Sequence, residues 1–97
     1  MAERRMPEKE IERVMKALAN RRRLAILRFL SGGDKKGRKA SVGDIADEIK
    51  LSFKATSKHL SVLSSADIVD REQRSLQMFY YLSSNLPAPA RLILPLL

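Results

Sequence analysis

The chain has 97 residues, no cysteine and a formal net charge of +8, with a sequence pI near 10.3. That length suits one domain with a modest core, and the missing thiols exclude disulfides and thiolate metal sites. No apolar run reaches the roughly 20 residues that span a bilayer. The charged start MAERRMPEKE does not read as a secretory signal, so a cytoplasmic protein with no membrane contact is expected. The excess of lysine and arginine points to a polyanionic partner.

From Pro7 to Ala19 the apolar residues Ile11, Val14, Met15 and Leu18 recur at helical spacing. They predict a helix with one buried stripe, with Pro7 and Glu8 in its first turn. Asn20 is placed to cap a second helix, Arg21 to Leu30, whose Leu24, Ala25, Ile26, Leu27, Phe29 and Leu30 make it apolar around much of its circumference. That helix belongs at the centre of the core. The run Arg21, Arg22 and Arg23 sits where the helix dipole disfavours positive charge. It reads as a solvated cluster with one arginine pinned to a core-edge acid, against a phosphate contact or an inter-helix salt bridge as the functional alternative.

Gly32-Gly33 is expected to supply the left-handed residue that ends this helix, and the polar run Asp34 to Lys39 a solvated loop. Lys39 to Ser41 reads as a short strand. Ser41 and Asp44 form a capping pair for a third helix, in which Val42, Ile45, Ala46 and Ile49 lay one apolar stripe along a single face.

The stretch Asp44 to Ala66 carries the clearest pattern. A fourth helix starts at Ser52, whose hydroxyl suits an N-cap. At about 100° per residue, Lys54, Ser57, Lys58 and Ser61 gather on one narrow face, while Thr56, Leu60 and Leu63 lie on the opposite one. The result is a helix with an apolar back and a basic, hydroxyl-rich front. His59, the one histidine, projects within the apolar sector and reads as a packed, singly hydrogen-bonded residue rather than a ligand.

Ile68 to Gln73 and Leu76 to Leu82 then read as two strands around an Arg74-Ser75 turn, with Leu76, Met78, Tyr80 and Leu82 on the inward face. The final stretch, SSNLPAPARLILPLL, is apolar and proline-rich. Pro87 or Pro89 can open a short helix there, and Pro95 should stop it after about two turns. Such a tail is expected to pack on its own domain or on the first helix of a second subunit.

The order helix, helix, short strand, helix, helix, hairpin is that of a winged helix-turn-helix, an α+β and mainly α fold. The runs LANRRRLAILRFL, SVGDIADEIKLSFKATSKHLSVLSSADIV and REQRSLQMFYYL resemble the ArsR-type winged-helix repressors over about residues 10–82. The family's recognition helix typically reads LSxSTVSRHLxxLxxAGLV, and LSFKATSKHLSVLSSADIV matches it without a gap. The resemblance implies a winged domain over residues 7–82 with a C-terminal tail over 83–97. It also implies a sequence-specific regulator that binds double-stranded DNA as a homodimer through its first helix and tail, and that commonly represses.

By the same resemblance the DNA-binding residues are Ser52, Lys54, Ser57, Lys58 and Ser61 in the major groove, with Arg71 and Arg74 on the wing approaching the backbone or minor groove. Phe53 takes a position where relatives carry a polar base-reading residue. Its helical angle makes it a packing residue first and a thymine contact second. Metal-sensing relatives carry a Cys-x-Cys pair where this chain has Ser41 and Gly43, so no metal and no cofactor is expected. Asp67 and Ser75 stand where relatives have glycine, so the wing tip is expected to use a different turn.

A competing reading is an adaptor that binds a protein through its apolar tail, with weak or non-specific nucleic-acid contact. An enzyme is not expected. The chain offers no cysteine nucleophile, no glycine-rich phosphate loop and no pair of histidines.

Overall fold

A computed structural model describes residues 5–32 and 37–97. The elements are α1 (Glu8–Leu18), α2 (Arg21–Ser31), β1 (Ala40–Ser41), α3 (Val42–Ile49), α4 (Phe53–Ser65), β2 (Val69–Arg74), β3 (Gln77–Leu82) and α5 (Ala88–Ile93), followed by a 3-10 turn at Leu94–Leu96.

Each helix begins where a side chain or a proline meets its unpaired N–H groups. Pro7 lies just outside α1 rather than in its first turn, and its carbonyl accepts from Glu10 and Ile11 at 3.0 and 3.1 Å. Asn20 Oδ1 accepts from the backbone N–H of Arg22 and Arg23 at 2.9 and 3.1 Å. Ser41 Oγ does the same for Asp44 at 3.1 Å, which is the serine half of the expected Ser41–Asp44 pair. Gly32, one of the two glycines expected to supply a left-handed residue, ends α2 in an extended conformation (φ −81°). Its partner Gly33 and the loop residues Asp34 to Lys36 lie outside the described residues. Gly37 is left-handed (φ 79°), and Arg38 N–H donates to the carbonyl of Leu30.

The three strands form one antiparallel sheet in the order β1-β3-β2. Ala40 and Ser41 pair with Tyr80 and Phe79, and β2 pairs with β3 from Val69↔Leu82 to Arg74↔Gln77. That register puts the hairpin turn at Ser75-Leu76, one residue later than expected. Only Ser75 of the two has positive φ (57°), the sign pattern of a type II′ turn. Leu76 is therefore at the tip, 97% exposed, rather than on the inward face.

The core is centred on α2, as its composition implies: Ile26, Leu27 and Leu30 are fully buried against Val14, Ile45, Leu60, Leu63 and Ile68. Ala90 and Leu94 of the C-terminal segment join the same cluster. The stripe of α1 divides. Val14 and Leu18 are buried, while Ile11 and Met15 stay exposed along a groove shared with α5.

Candidate nucleic-acid interface

Two short helices held at a fixed angle need a well-defined turn, and the turn between α3 and α4 is made by Lys50, Leu51 and Ser52. Lys50 takes the left-handed conformation (φ 56°, ψ 51°). Leu51 N–H then reaches back to the carbonyl of Ala46 (3.0 Å) and Lys50 N–H to that of Asp47 (3.4 Å), closing α3 in a Schellman arrangement. Two residues on, Ser52 Oγ accepts from Ala55 N–H at 3.1 Å and starts α4. A C-cap directly followed by an N-cap leaves little freedom in the angle between the helices.

The far end of α4 is closed in the same way. Asp67 is left-handed (φ 62°), Ile68 N–H bonds the carbonyl of Leu63 and Asp67 N–H that of Ser64, both at 3.0 Å. Arg13 of α1 braces this end, donating to the Ser65 carbonyl and lying 3.7 Å from the Asp67 carboxylate. A cation there complements the negative end of the α4 dipole.

Between these ends the two faces of α4 separate as the helical angles require. Thr56, Leu60 and Leu63 are fully buried. Lys54, Lys58 and Ser61 are exposed with Ser52, and Ser57 is half-buried between them. Lys54, Ser57, Lys58 and Ser61 share one outward face of α4, and Ser52 is exposed at its start as the cap. Thr56 Oγ1 has no hydrogen-bond partner among the described residues. Phe53 departs from its expected packing role: as the first helical residue it sits beyond the edge of the core and is 63% exposed.

His59 is half-buried and hydrogen-bonded, as expected, but its partner is a cation. Arg23 Nη1 donates to His59 Nδ1 at 3.2 Å, while the same guanidinium gives Nε to the carbonyl of Ala17 (2.7 Å) and Nη2 to that of Lys16 (3.1 Å). One arginine of the Arg21 to Arg23 run is therefore pinned. It meets the last-turn carbonyls of α1 and an imidazole rather than the core-edge acid that was expected. Burial, and then the charges of Arg23 and Arg22, hold the imidazole pKa below its ordinary value.

On the hairpin, Arg71 and Arg74 are both exposed, but they do not share a face. Side chains of paired residues point the same way, so Arg71 goes with the inward Tyr80 and Arg74 with the outward Gln77. Arg74 is tied to Glu72, Nε to Oε2 at 2.6 Å, and stacks over the Phe79 ring at 5.6 Å. Lys39, just before β1, crosses β3 to the other oxygen of Glu72 (2.8 Å) and lies 4.8 Å above the Tyr81 ring. Lys39 and then Arg74, hydrogen-bonded to Glu72, hold its carboxyl down at about 2. The Lys39–Glu72 pair has no signature in sequence spacing. It exists because β1 and β2 flank β3.

Ser41 and Gly43, the positions of the Cys-x-Cys pair in metal-sensing relatives, do not fit a metal. The Ser41 hydroxyl is engaged as a cap and Gly43 has no donor. Among the described residues no group of three or more His, Cys, Asp or Glu is placed to hold a metal ion. No described helix is long and apolar enough to cross a membrane.

A tightly turned helix pair whose second member has a buried back and a basic front, followed by an antiparallel hairpin, defines a winged helix-turn-helix DNA-binding protein. The family described as bacterial regulatory protein, arsR family, matches residues 20–71. The chain belongs to the ArsR family of transcriptional regulators.

It is 37% identical over 71 residues to the transcriptional activator HlyU of Vibrio cholerae, covering 73% of this chain and 61% of HlyU. It is 35% identical over 68 residues to the transcriptional repressor SdpR of Bacillus subtilis, covering 70% of this chain and 69% of SdpR. The homodimeric winged helix-turn-helix DNA-binding domain of a possible ArsR-family regulator from Mycobacterium bovis superposes with a TM-score of 0.75 at 26% identity, over 99% of this chain and 85% of that one. Activators and repressors thus both occur among its relatives, and the match spans just under two thirds of HlyU.

Proposed function

We propose that the protein is a cytoplasmic, homodimeric repressor that binds a near-palindromic operator, with one α4 in the major groove of each half-site. The outward face of Lys54, Ser57, Lys58 and Ser61, with the capping Ser52 exposed at its start, carries this reading, because the fold leaves the two lysines pointing into solvent while burying the opposite face of the same helix. Lysines and serines there suit phosphate and base-edge contact, and Arg71 and Arg74 place one cation on each face of the wing, Arg74 reaching a backbone only by leaving Glu72.

The dimer contact is assigned to α1 and the C-terminal segment. Ile11 and Met15 border a groove of about 890 Å³ that Leu92 and Ile93 complete from α5. Leu92 and Leu96 are 75% and 76% exposed, an apolar surface that a second copy would cover. The Mycobacterium bovis neighbour, described as homodimeric, supports a dimer. In such a dimer the two recognition helices stand about 34 to 36 Å apart, one turn of DNA.

Selecting bound duplexes from a random pool, with the solution mass measured alongside, tests the proposal. A palindrome bound by a dimer is expected, with affinity falling on a log–log salt plot by about 0.9 per phosphate neutralised. Replacing Lys54, Ser57 and Lys58 together by alanine should abolish binding with folding intact, and Met15→Glu should yield monomers. Equal affinity for selected and random duplexes would leave the adaptor reading in its place.

A further inference from the structure

We propose that Phe53 reads a thymine, packing its ring on the C5 methyl group in the major groove and so setting the base preference at one position of each half-site. The inference rests on the operator-binding reading above.

Phe53 is the first residue of α4, directly after the cap Ser52, and is 63% exposed. The aliphatic residues that anchor this helix, Leu60 and Leu63, are fully buried without it. Nor does it line the apolar groove between α1 and α5. Among the described residues the hydrophobic core therefore leaves most of a large ring in water, which the hydrophobic effect disfavours.

Its position supplies a partner. Four residues on, Ser57 lies about 40° around the helix, so Phe53 borders the face that carries Lys54, Ser57, Lys58 and Ser61. Lys54 and Lys58 draw that face onto a phosphate-lined groove. On the base edges exposed there, every polar group is a hydrogen-bond donor or acceptor that a phenyl ring cannot answer. The thymine methyl is the apolar exception. A ring at the rim of the helix can bury that methyl without leaving a polar group unpaired, which makes thymine the base it selects.

The test begins from the operator selected by the wild-type protein. Each thymine of the half-site is replaced by deoxyuridine, which removes the methyl and nothing else, and duplexes are titrated with wild-type protein and with Phe53→Ala. One position is expected to lose about fourfold in affinity per half-site for the wild type, the effect of one buried methyl. The variant, with an unchanged melting temperature, should show no loss there, and renewed selection with it should lose thymine at that position alone. If every deoxyuridine duplex binds the wild type as well as its thymine parent, or if Phe53→Ala keeps the same preference, the assignment to Phe53 fails while operator binding stands. If the wild type selects no consensus at all, operator binding itself fails and the inference falls with it.

Discussion

Arg23 on α2 donates to Nδ1 of His59 on α4 across 3.2 Å, and the same guanidinium holds the last carbonyls of α1. Three helices thus meet at one side chain, and the middle of the recognition helix is tied to the scaffold by a bond that requires a neutral imidazole.

That requirement has a pH signature. The folded-state pKa of His59 is lowered, by burial first and then by Arg23 and Arg22. The unfolded chain therefore binds this proton more readily, so the contribution is complete above the ordinary histidine value of about 6.5 and is lost as pH falls through the folded pKa. The urea midpoint should decline as pH drops from 7.5 to 5.5. His59→Asn, whose amide oxygen can accept from Arg23 without titrating, should flatten the curve. A decline of equal size in the variant would assign the effect elsewhere. Glu72, held at about 2, stays ionised throughout that range.

Arg23→Lys is not conservative here. An ammonium group cannot reproduce the planar fork that reaches two carbonyls and a ring nitrogen at once. A loss of about 1 to 2 kcal/mol in unfolding free energy is expected from chemical denaturation. A smaller loss at Arg21, which is exposed at the helix start, provides the comparison.

Thr56→Val should stabilise the protein. The hydroxyl is fully buried with no partner among the described residues, and valine keeps the shape while removing the unmet polar group. The expected gain is about 1 kcal/mol, read as a higher urea midpoint with an unchanged slope. An unchanged or lower midpoint would mean that the hydroxyl is satisfied in solution.

On the operator-binding proposal, Glu72 competes with phosphate for two cations. Lys39 and Arg74 both close on its carboxylate, so engaging a DNA backbone through either one requires opening an ion pair. Glu72→Gln is expected to raise operator affinity roughly threefold to tenfold at low salt, with the advantage shrinking as salt screens the wing. Anisotropy titrations at two ionic strengths check both parts. Equal affinities at low salt would remove Lys39 and Arg74 from the contact.

Helix starts and the two faces of α4 were legible because they depend on neighbours in sequence. Asn20, Ser41 and Ser52 cap the N–H groups two or three residues ahead, and angle alone separates Lys54 and Lys58 from Leu60 and Leu63. The left-handed turns were half legible. Asp67 and Ser75 stand out as replaced glycines and do have positive φ, whereas nothing marked Lys50 for the same role. Alternation could not place the hairpin turn, since period two fits either register and only the pairing of Arg74 with Gln77 decides between them. Phe53 was misjudged because angle says which way a residue points, not whether anything lies there.

By itself, then, the sequence determined the helices, the side-chain N-caps of α2, α3 and α4 and a helix with a basic front, all set by contacts within a few residues of chain. Tertiary structure decided what each cation does. It drew Arg23 to His59, 36 positions away, and Lys39 to Glu72, 33 positions away, and it set Arg71 and Arg74 on opposite faces of the wing. Those outcomes depend on which strands and helices pack side by side, and long cationic side chains reach whatever carbonyl, ring or carboxylate that packing brings within range.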